Sequence, residues 1–184
     1  QTLKQRIAEH ETVSVLLNSR VIKTRGFMGN FATIVEGADG QRQEVRHGAT
    51  ILATGGEEYR GQEYGGGSDE RIISMQELER QISSRPETLG AISSMAMILC
   101  IGPAESYCSR ICCNVALKNS LALKQLAPDA QIVVFYRDIR TYGFGERLYE
   151  KAREQGVLFV RYENDHRPQI EVDEQNNALN LRGW

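Results

Sequence analysis

All four cysteines of this chain fall between Cys100 and Cys113, with seven residues between the first and second, three between the second and third, and the last two adjacent. A thiolate is a nucleophile, a redox centre and a soft metal ligand, so a set this dense points to chemistry. Disulfides that stabilise secreted domains close long loops between distant segments, and four thiols in one short loop gain almost none of that benefit. The expected compartment is therefore reducing, and the expected location cytoplasmic. Four thiolates are the usual ligand set of a cubane iron–sulfur centre. Zinc takes four as well, but its structural sites favour closely spaced cysteine pairs, and the adjacent Cys112 and Cys113 suit a bulky cluster better than a small tetrahedral ion. A redox dithiol is a third reading; its usual Cys-x-x-Cys spacing is absent, and bridging adjacent residues is geometrically awkward. The bland alternative is that these are small buried apolar residues, which explains one cysteine better than four.

The elements that must position these thiols alternate along the second half of the chain. Met95 to Ile101 is a continuous apolar run, as a strand buried on both faces should be. A helix from about Ser109 to Gln125 follows. Cys100 then sits at the carboxyl end of a strand, and the other three cysteines straddle the first turn of the next helix. That crevice is where open α/β sheets bind ligands. If the helix starts early, Cys108 and Cys112 share a face, and the helix N-terminus with Arg110 offsets negative charge. Further on come a strand at Gln131–Tyr136, a helix at Glu146–Gln155 stopped by Gly156, and a strand at Val157–Val160. The pattern predicts an α/β class with a parallel βαβαβ unit. Two short strands near Ile170 and Leu179 flank a turn at Asn176-Asn177.

The first half is β-rich. A short helix at Leu3–Glu11 precedes extended segments at Val13–Leu17, Arg20–Lys23, Phe31–Val35 and Gln41–Arg46, with turns at Gly26–Asn30 and Ala38–Gly40. Ala49–Ala53 reads as a short buried strand ending in Thr54-Gly55-Gly56. Gly55–Asp69 is a polar, glycine-rich connector and the best domain boundary. Ser74 and Glu77 form a capping box at the start of a helix over Met75–Ser83, which Arg85-Pro86 breaks. The expected organisation is a β-rich segment over 1–60, a connector and helix over 61–90, and a Rossmann-like α/β domain over 91–184.

The composition, 41% hydrophobic and 25% charged with a formal net charge of −2, is that of an ordinary globular protein and offers no basic footprint for nucleic acid. No apolar run approaches the roughly 20 residues of a membrane span, so neither nucleic acid nor membrane insertion is expected. The polar opening Gln1-Thr2-Leu3-Lys4, without an initiator Met or signal sequence, and the lack of a closing element at Trp184 suggest a piece of a longer protein. No G-x-G-x-x-G turn occurs, so a dinucleotide fingerprint is missing. Asp138 follows a strand where such folds place a ribose ligand, but Tyr136, Arg137, Asp138 and Arg140 read better as a structural ion-pair network under the cysteine loop. His10, His47 and His166 read as surface residues, and Gly65-Gly66-Gly67 as a flexible linker.

Several strings resemble the iron–sulfur flavoproteins that form the A-subunit of CoB–CoM heterodisulfide reductase. That family carries a Cys-x-Gly-Ser-Arg element, a Tyr-Cys-Ser-Arg-x-Cys-Cys element, a Tyr-Arg-Asp-Ile-Arg-Thr-Tyr-Gly element and an Ala-Arg-Glu-x-Gly-Val junction. Here stand Cys100-Ile101-Gly102, Tyr107-Cys108-Ser109-Arg110-Ile111-Cys112-Cys113, Tyr136-Arg137-Asp138-Ile139-Arg140-Thr141-Tyr142-Gly143 and Ala152-Arg153-Glu154-Gln155-Gly156-Val157. Gly26–Phe31 and Ile51–Gly55 resemble the segment between that family's flavin fingerprint and its cluster. The resemblance implies a thioredoxin-reductase-like fold that binds FAD and carries a [4Fe–4S] cluster, an oxidoreductase that passes electrons to other subunits of a complex in anaerobic metabolism. It places Cys100, Cys108, Cys112 and Cys113 at the cluster-ligand positions and Thr54 and Gly55 beside the flavin. Because the fingerprint is absent, FAD is expected in the intact protein and the chain by itself is expected to be inactive. Two departures stand out: Pro103-Ala104 replaces Ser-Arg, and the loop to Cys108 is about five residues shorter than the family's. The alternatives are a nicotinamide-dependent disulfide oxidoreductase and a zinc-stabilised interaction module.

Overall fold

The computed structural model describes residues 2–61, 63–102, 108–173, 175–176 and 178–183. The expectations for Pro103-Ala104, Tyr107, Gln1, Asn177 and Trp184 lie outside these residues. The chain divides into two compact units, Gln1–Gly56 and Glu57–Trp184.

The first unit opens with α1 (Leu3–Ala8), held by a Thr2–Gln5 capping box, and continues into an antiparallel meander of β1 (Arg20–Phe27), β2 (Asn30–Glu36) and β3 (Arg42–His47) in the order β1-β2-β3. Asp39 and Gly40 close the second hairpin, with Gly40 at φ +76 as such a turn requires. His47 is not a free surface side chain: it lies stacked on Phe31 with its Nε2 2.8 Å from the Thr33 hydroxyl. Three sequence expectations fail here. Val13–Leu17 is irregular, β1 runs through Gly26 to Phe27, and Ala49–Ala53 forms no strand. The reason is common to the two missing strands: an apolar run becomes a strand only when a neighbour satisfies its backbone groups. Within this unit Ile51 and Leu52 remain 91% and 84% exposed.

The second unit begins irregularly and reaches α2 (Met75–Ser84), whose Ser74–Glu77 capping box forms in both directions as predicted. Pro86 stops α2 but also starts a short α3 (Pro86–Leu89), a role the fixed proline φ suits. A parallel sheet follows in the order β4-β5-β6, from β4 (Ser94–Ile98), β5 (Gln131–Tyr136) and β6 (Leu158–Arg161), connected through α4 (Ile111–Leu126) and α5 (Gly145–Glu154). This is the predicted βαβαβ unit. It departs from prediction in β4, which lies at the sheet edge and exposes Ala96 while burying Met97. A hairpin of β7 (Gln169–Asp173) and β8 (Ala178–Arg182) ends the fold.

The core is the seam where α4 meets the sheet and its neighbours α2 and α5. Leu117 and Leu123 of α4 pack with Ile132 and Val134 of β5, all four fully buried. Each contributes about 1.5–3 kcal/mol of apolar burial. Cys113 belongs to the same cluster, so one candidate ligand is rooted in the buried core.

Candidate metal centre

Leu99 closes β4 by donating its N–H to the Phe135 carbonyl at 2.8 Å. The chain then turns sharply: Cys100 has φ +57, a left-handed conformation that costs a non-glycine residue about 1–2 kcal/mol. Gly102 follows at φ +92, with the Tyr59 ring so close that a Cβ would meet it at 3.2 Å. The Arg167 guanidinium donates to the Gly102 carbonyl at 3.0 Å. After Cys108 and Ser109, Arg110 takes a second left-handed turn at φ +63, and only then does α4 begin. The helix therefore starts later than predicted. Cys108 precedes it, so the expected shared helical face of Cys108 and Cys112 does not exist. Cys112 and Cys113 occupy the second and third helical positions, where backbone N–H groups are free to point at sulfur.

Two of the four sulfurs, those of Cys100 and Cys113, meet at the segment after β5. The thiols of Cys100 and Cys113 both donate to the Asp138 carbonyl at 3.9 Å, and the Arg140 N–H donates to the Cys113 sulfur at 3.4 Å. The Cys112 and Cys113 side chains perturb each other. The neighbouring Cys113 side chain, with help from the N–H groups of Cys100, Cys113 and Cys112 itself, brings the Cys112 thiol down to about 6 against the cost of burial. Cys113 is pushed up by its contact with Cys112 and by burial. Cys108 is half-buried, within electrostatic reach of the Arg140 guanidinium. Among the described residues no three His, Cys, Asp or Glu side chains close on one point as a single ion requires.

Of the expected ion-pair network a single pair forms among the described residues, and Tyr136 takes no part in it. Asp138 and Arg140 pair at 2.7 Å, Arg137 reaches the Asn164 side chain at 2.6 Å, and Thr141 is buried behind them. Asp138 thus serves the cysteines through its carbonyl, and its carboxylate is occupied. Thr54 and Gly55 belong to the first unit, exposed, with Gly55 at φ +71.

Sequence reasoning missed Tyr162. This side chain is 3% exposed, and its hydroxyl donates at 2.5 Å to the carbonyl of Leu99, the residue before Cys100. It pins the strand end from which the cysteine loop departs. Arg167 and Tyr59 do the same one turn later. A tyrosine just past the end of a parallel strand was the available signal, since such ends share one rim of the sheet; Arg167 and Tyr59 carry no local signal.

The donor set fits an iron–sulfur cluster. Every converging side chain is a thiol, one ionises readily, and amide N–H groups are already aimed at two of the sulfurs.

No family model matches the chain. Among curated proteins it is 37% identical to the first iron–sulfur A-subunit of the CoB–CoM heterodisulfide reductase of Methanopyrus kandleri, over 67% of this chain and 22% of that protein. It is 36% identical to the corresponding iron–sulfur A-subunit of Methanocaldococcus jannaschii, over 64% and 21%. A third relative, the A-subunit of the H(2):CoB–CoM heterodisulfide,ferredoxin reductase of Methanothermobacter marburgensis, is 32% identical over 76% and 23%. The chain spans about a fifth of the length of the curated relatives it matches. With the parallel sheet and the gathered thiols in place, these likenesses assign the chain to the A-subunit family of the CoB–CoM heterodisulfide reductases.

Proposed function

We propose that the chain is the electron-relay segment of a heterodisulfide-reductase-type oxidoreductase, with Cys100, Cys108, Cys112 and Cys113 as ligands of a [4Fe–4S] cluster. The observation that carries this reading is the gathering of Cys100 and Cys113 at the Asp138 carbonyl, with Cys112 against Cys113 and Cys108 within electrostatic reach of Arg140. A mononuclear ion needs every sulfur about 2.3 Å from one point, whereas each thiolate of a cubane ligates its own iron. Gathered but not closed, the cysteines suit the wider group.

When bound, the cluster supplies one-electron transfer at a potential set by its surroundings. The chain's own residues do the rest. The first turn of α4 directs N–H groups and the positive end of the helix toward the thiolates, which favours their ionised form. The Arg140 N–H holds the Cys113 sulfur, and the Arg140 guanidinium lies near Cys108. Tyr162 and Arg167 fix the two ends of the Cys100–Gly102 turn, so the first ligand is held before any metal arrives.

In the whole protein we place this relay between FAD and partner subunits, in a thioredoxin-reductase-like fold, a placement that the relatives' names, those of reductase components, support. This chain alone does not fit FAD. It offers Thr54 and Gly55 on an exposed loop and no phosphate-binding turn, so no step is assigned to the flavin here. The low-ionising Cys112 beside a protonated Cys113 also supports a second reading, a redox dithiol. Iron and zinc content and the visible spectrum of protein purified without oxygen separate the readings. A brown, iron-containing protein is expected. A colourless protein whose thiols titrate as a two-electron couple would move the assignment to the dithiol, and bound zinc would move it to a structural module.

A further inference from the structure

Near the cysteines in the fold stand three exposed large apolar side chains. Ile111, Tyr142 and Phe144 are 57%, 65% and 82% exposed. Ile111 is the first residue of α4, beside Cys112. Tyr142 and Phe144 lie on the loop that leads from the Asp138–Arg140 turn into α5. Gly145 is packed so closely that an added Cβ would meet the Asn114 amide oxygen of α4 at 3.0 Å, which joins the loop to α4 as one surface. Two guanidiniums cover the exposed rings: Arg110 lies 5.9 Å from the centre of Tyr142, and Arg147 lies 5.1 Å from that of Phe144. Among the described residues neither has a carboxylate partner, whereas Arg140 is neutralised by Asp138. With Glu146 included, the surface carries three guanidiniums against two carboxylates, on a chain whose formal net charge is −2.

From this surface we infer that the Ile111–Tyr142–Phe144 face, with Arg110 and Arg147, is a docking site for the acidic face of a protein that exchanges electrons at the cysteine centre. The inference rests on the relay reading for its purpose and on independent residues for its contacts. Aromatic side chains and arginine are the groups that concentrate binding energy at protein interfaces. A guanidinium stacked on an aromatic ring is already oriented, so it loses little freedom when it meets a carboxylate. The local positive charge selects an acidic partner and repels a basic one. A second copy of this chain is a poorer fit, since the same cationic surface would face itself.

The test uses the metal-free 184-residue chain labelled with ¹⁵N. A plant-type [2Fe–2S] ferredoxin serves as the acidic redox protein, and cytochrome c as the basic one of similar size. Ferredoxin should produce saturable amide shifts centred on Ile111, Tyr142, Phe144 and Arg147, weakening as salt is raised. Phe144→Ala should weaken binding about tenfold, and Arg110→Glu with Arg147→Glu by at least about that much. All three side chains are exposed, so the variants keep the dispersed spectrum of the parent. Shifts centred elsewhere, undiminished binding by the double variant, or equal binding of cytochrome c would overturn the inference. So would shifts of the free chain that grow with its own concentration, because they would make a second copy the occupant. Docking needs none of the thiols, so it persists if cluster assembly fails and can fail while the cluster assembles.

Discussion

Replacing Tyr162 with phenylalanine removes one oxygen from the protein and leaves the ring where it is. That oxygen donates to the Leu99 carbonyl at 2.5 Å, between residues 3% and 2% exposed. The carbonyl loses its partner and has no water to replace it, which costs about 1–3 kcal/mol. The ionisation of the same hydroxyl sets a second magnitude. Burial is the first cause that pushes the Tyr162 hydroxyl up from 10.0 to about 12. An acid whose folded value is raised contributes stability that is complete below its unfolded value and is lost as pH climbs through the folded one. Two pH units correspond to about 3 kcal/mol, lost between about pH 10 and about pH 12. Urea unfolding followed by helical circular dichroism reports mainly the second unit, which holds α2, α4 and α5. At neutral pH the Tyr162→Phe protein should be less stable by about 1–3 kcal/mol. As pH rises past about 10 the gap should narrow, because only the parent loses the contribution. A variant as stable as the parent at neutral pH, or a gap that widens in alkali, would refute the pinning of the Cys100 turn by Tyr162.

Three smaller predictions follow from the same geometry. Gly102→Ala places a Cβ 3.2 Å from the Tyr59 ring on a residue at φ +92, and should destabilise the second unit by about 1–3 kcal/mol in urea unfolding. Ser74→Ala removes the hydroxyl that accepts from the Glu77 N–H at the start of α2 and should cost about 1 kcal/mol in the same assay. Asp69 is held from 3.8 down to about 2 by hydrogen bonds from the Arg71 side chain and backbone. Its support for the fold is therefore present above about pH 4 and lost toward pH 2. Carboxyl NMR titration should find Asp69 near that low value and moved upward by Arg71→Gln.

What the sequence disclosed is what local chemistry decides. Ser74 and Glu77 announce the start of α2 because a capping box is a contact between residues three apart. The alternation from Met95 to Val160 announces the parallel unit because each strand is apolar enough to be buried by the helices that follow it. What it concealed depends on distant partners. Ile51 and Leu52 read as a buried strand, but nothing in their unit pairs with them. The helix α4 starts later than its residue pattern suggests because the left-handed turn at Arg110 has no glycine to mark it. The cysteines were visible as a group, yet the carbonyl that Cys100 and Cys113 share belongs to Asp138, and the hydroxyl that fixes the approach to Cys100 belongs to Tyr162.

The central claim is that these four cysteines ligate one iron–sulfur cluster, and anaerobic reconstitution with iron and sulfide tests it most directly. The parent chain and each single cysteine-to-serine variant are reconstituted in parallel and assayed for iron, acid-labile sulfide and visible absorption. About four irons and four sulfides are expected in a brown parent protein. Loss of most of that colour and iron is expected in each of the Cys100, Cys108, Cys112 and Cys113 variants, with the helical signal of α4 and α5 kept in the Cys108 variant, whose residue lies outside the core. A folded parent that stays colourless, or one whose iron content is indifferent to all four substitutions, would contradict the central claim.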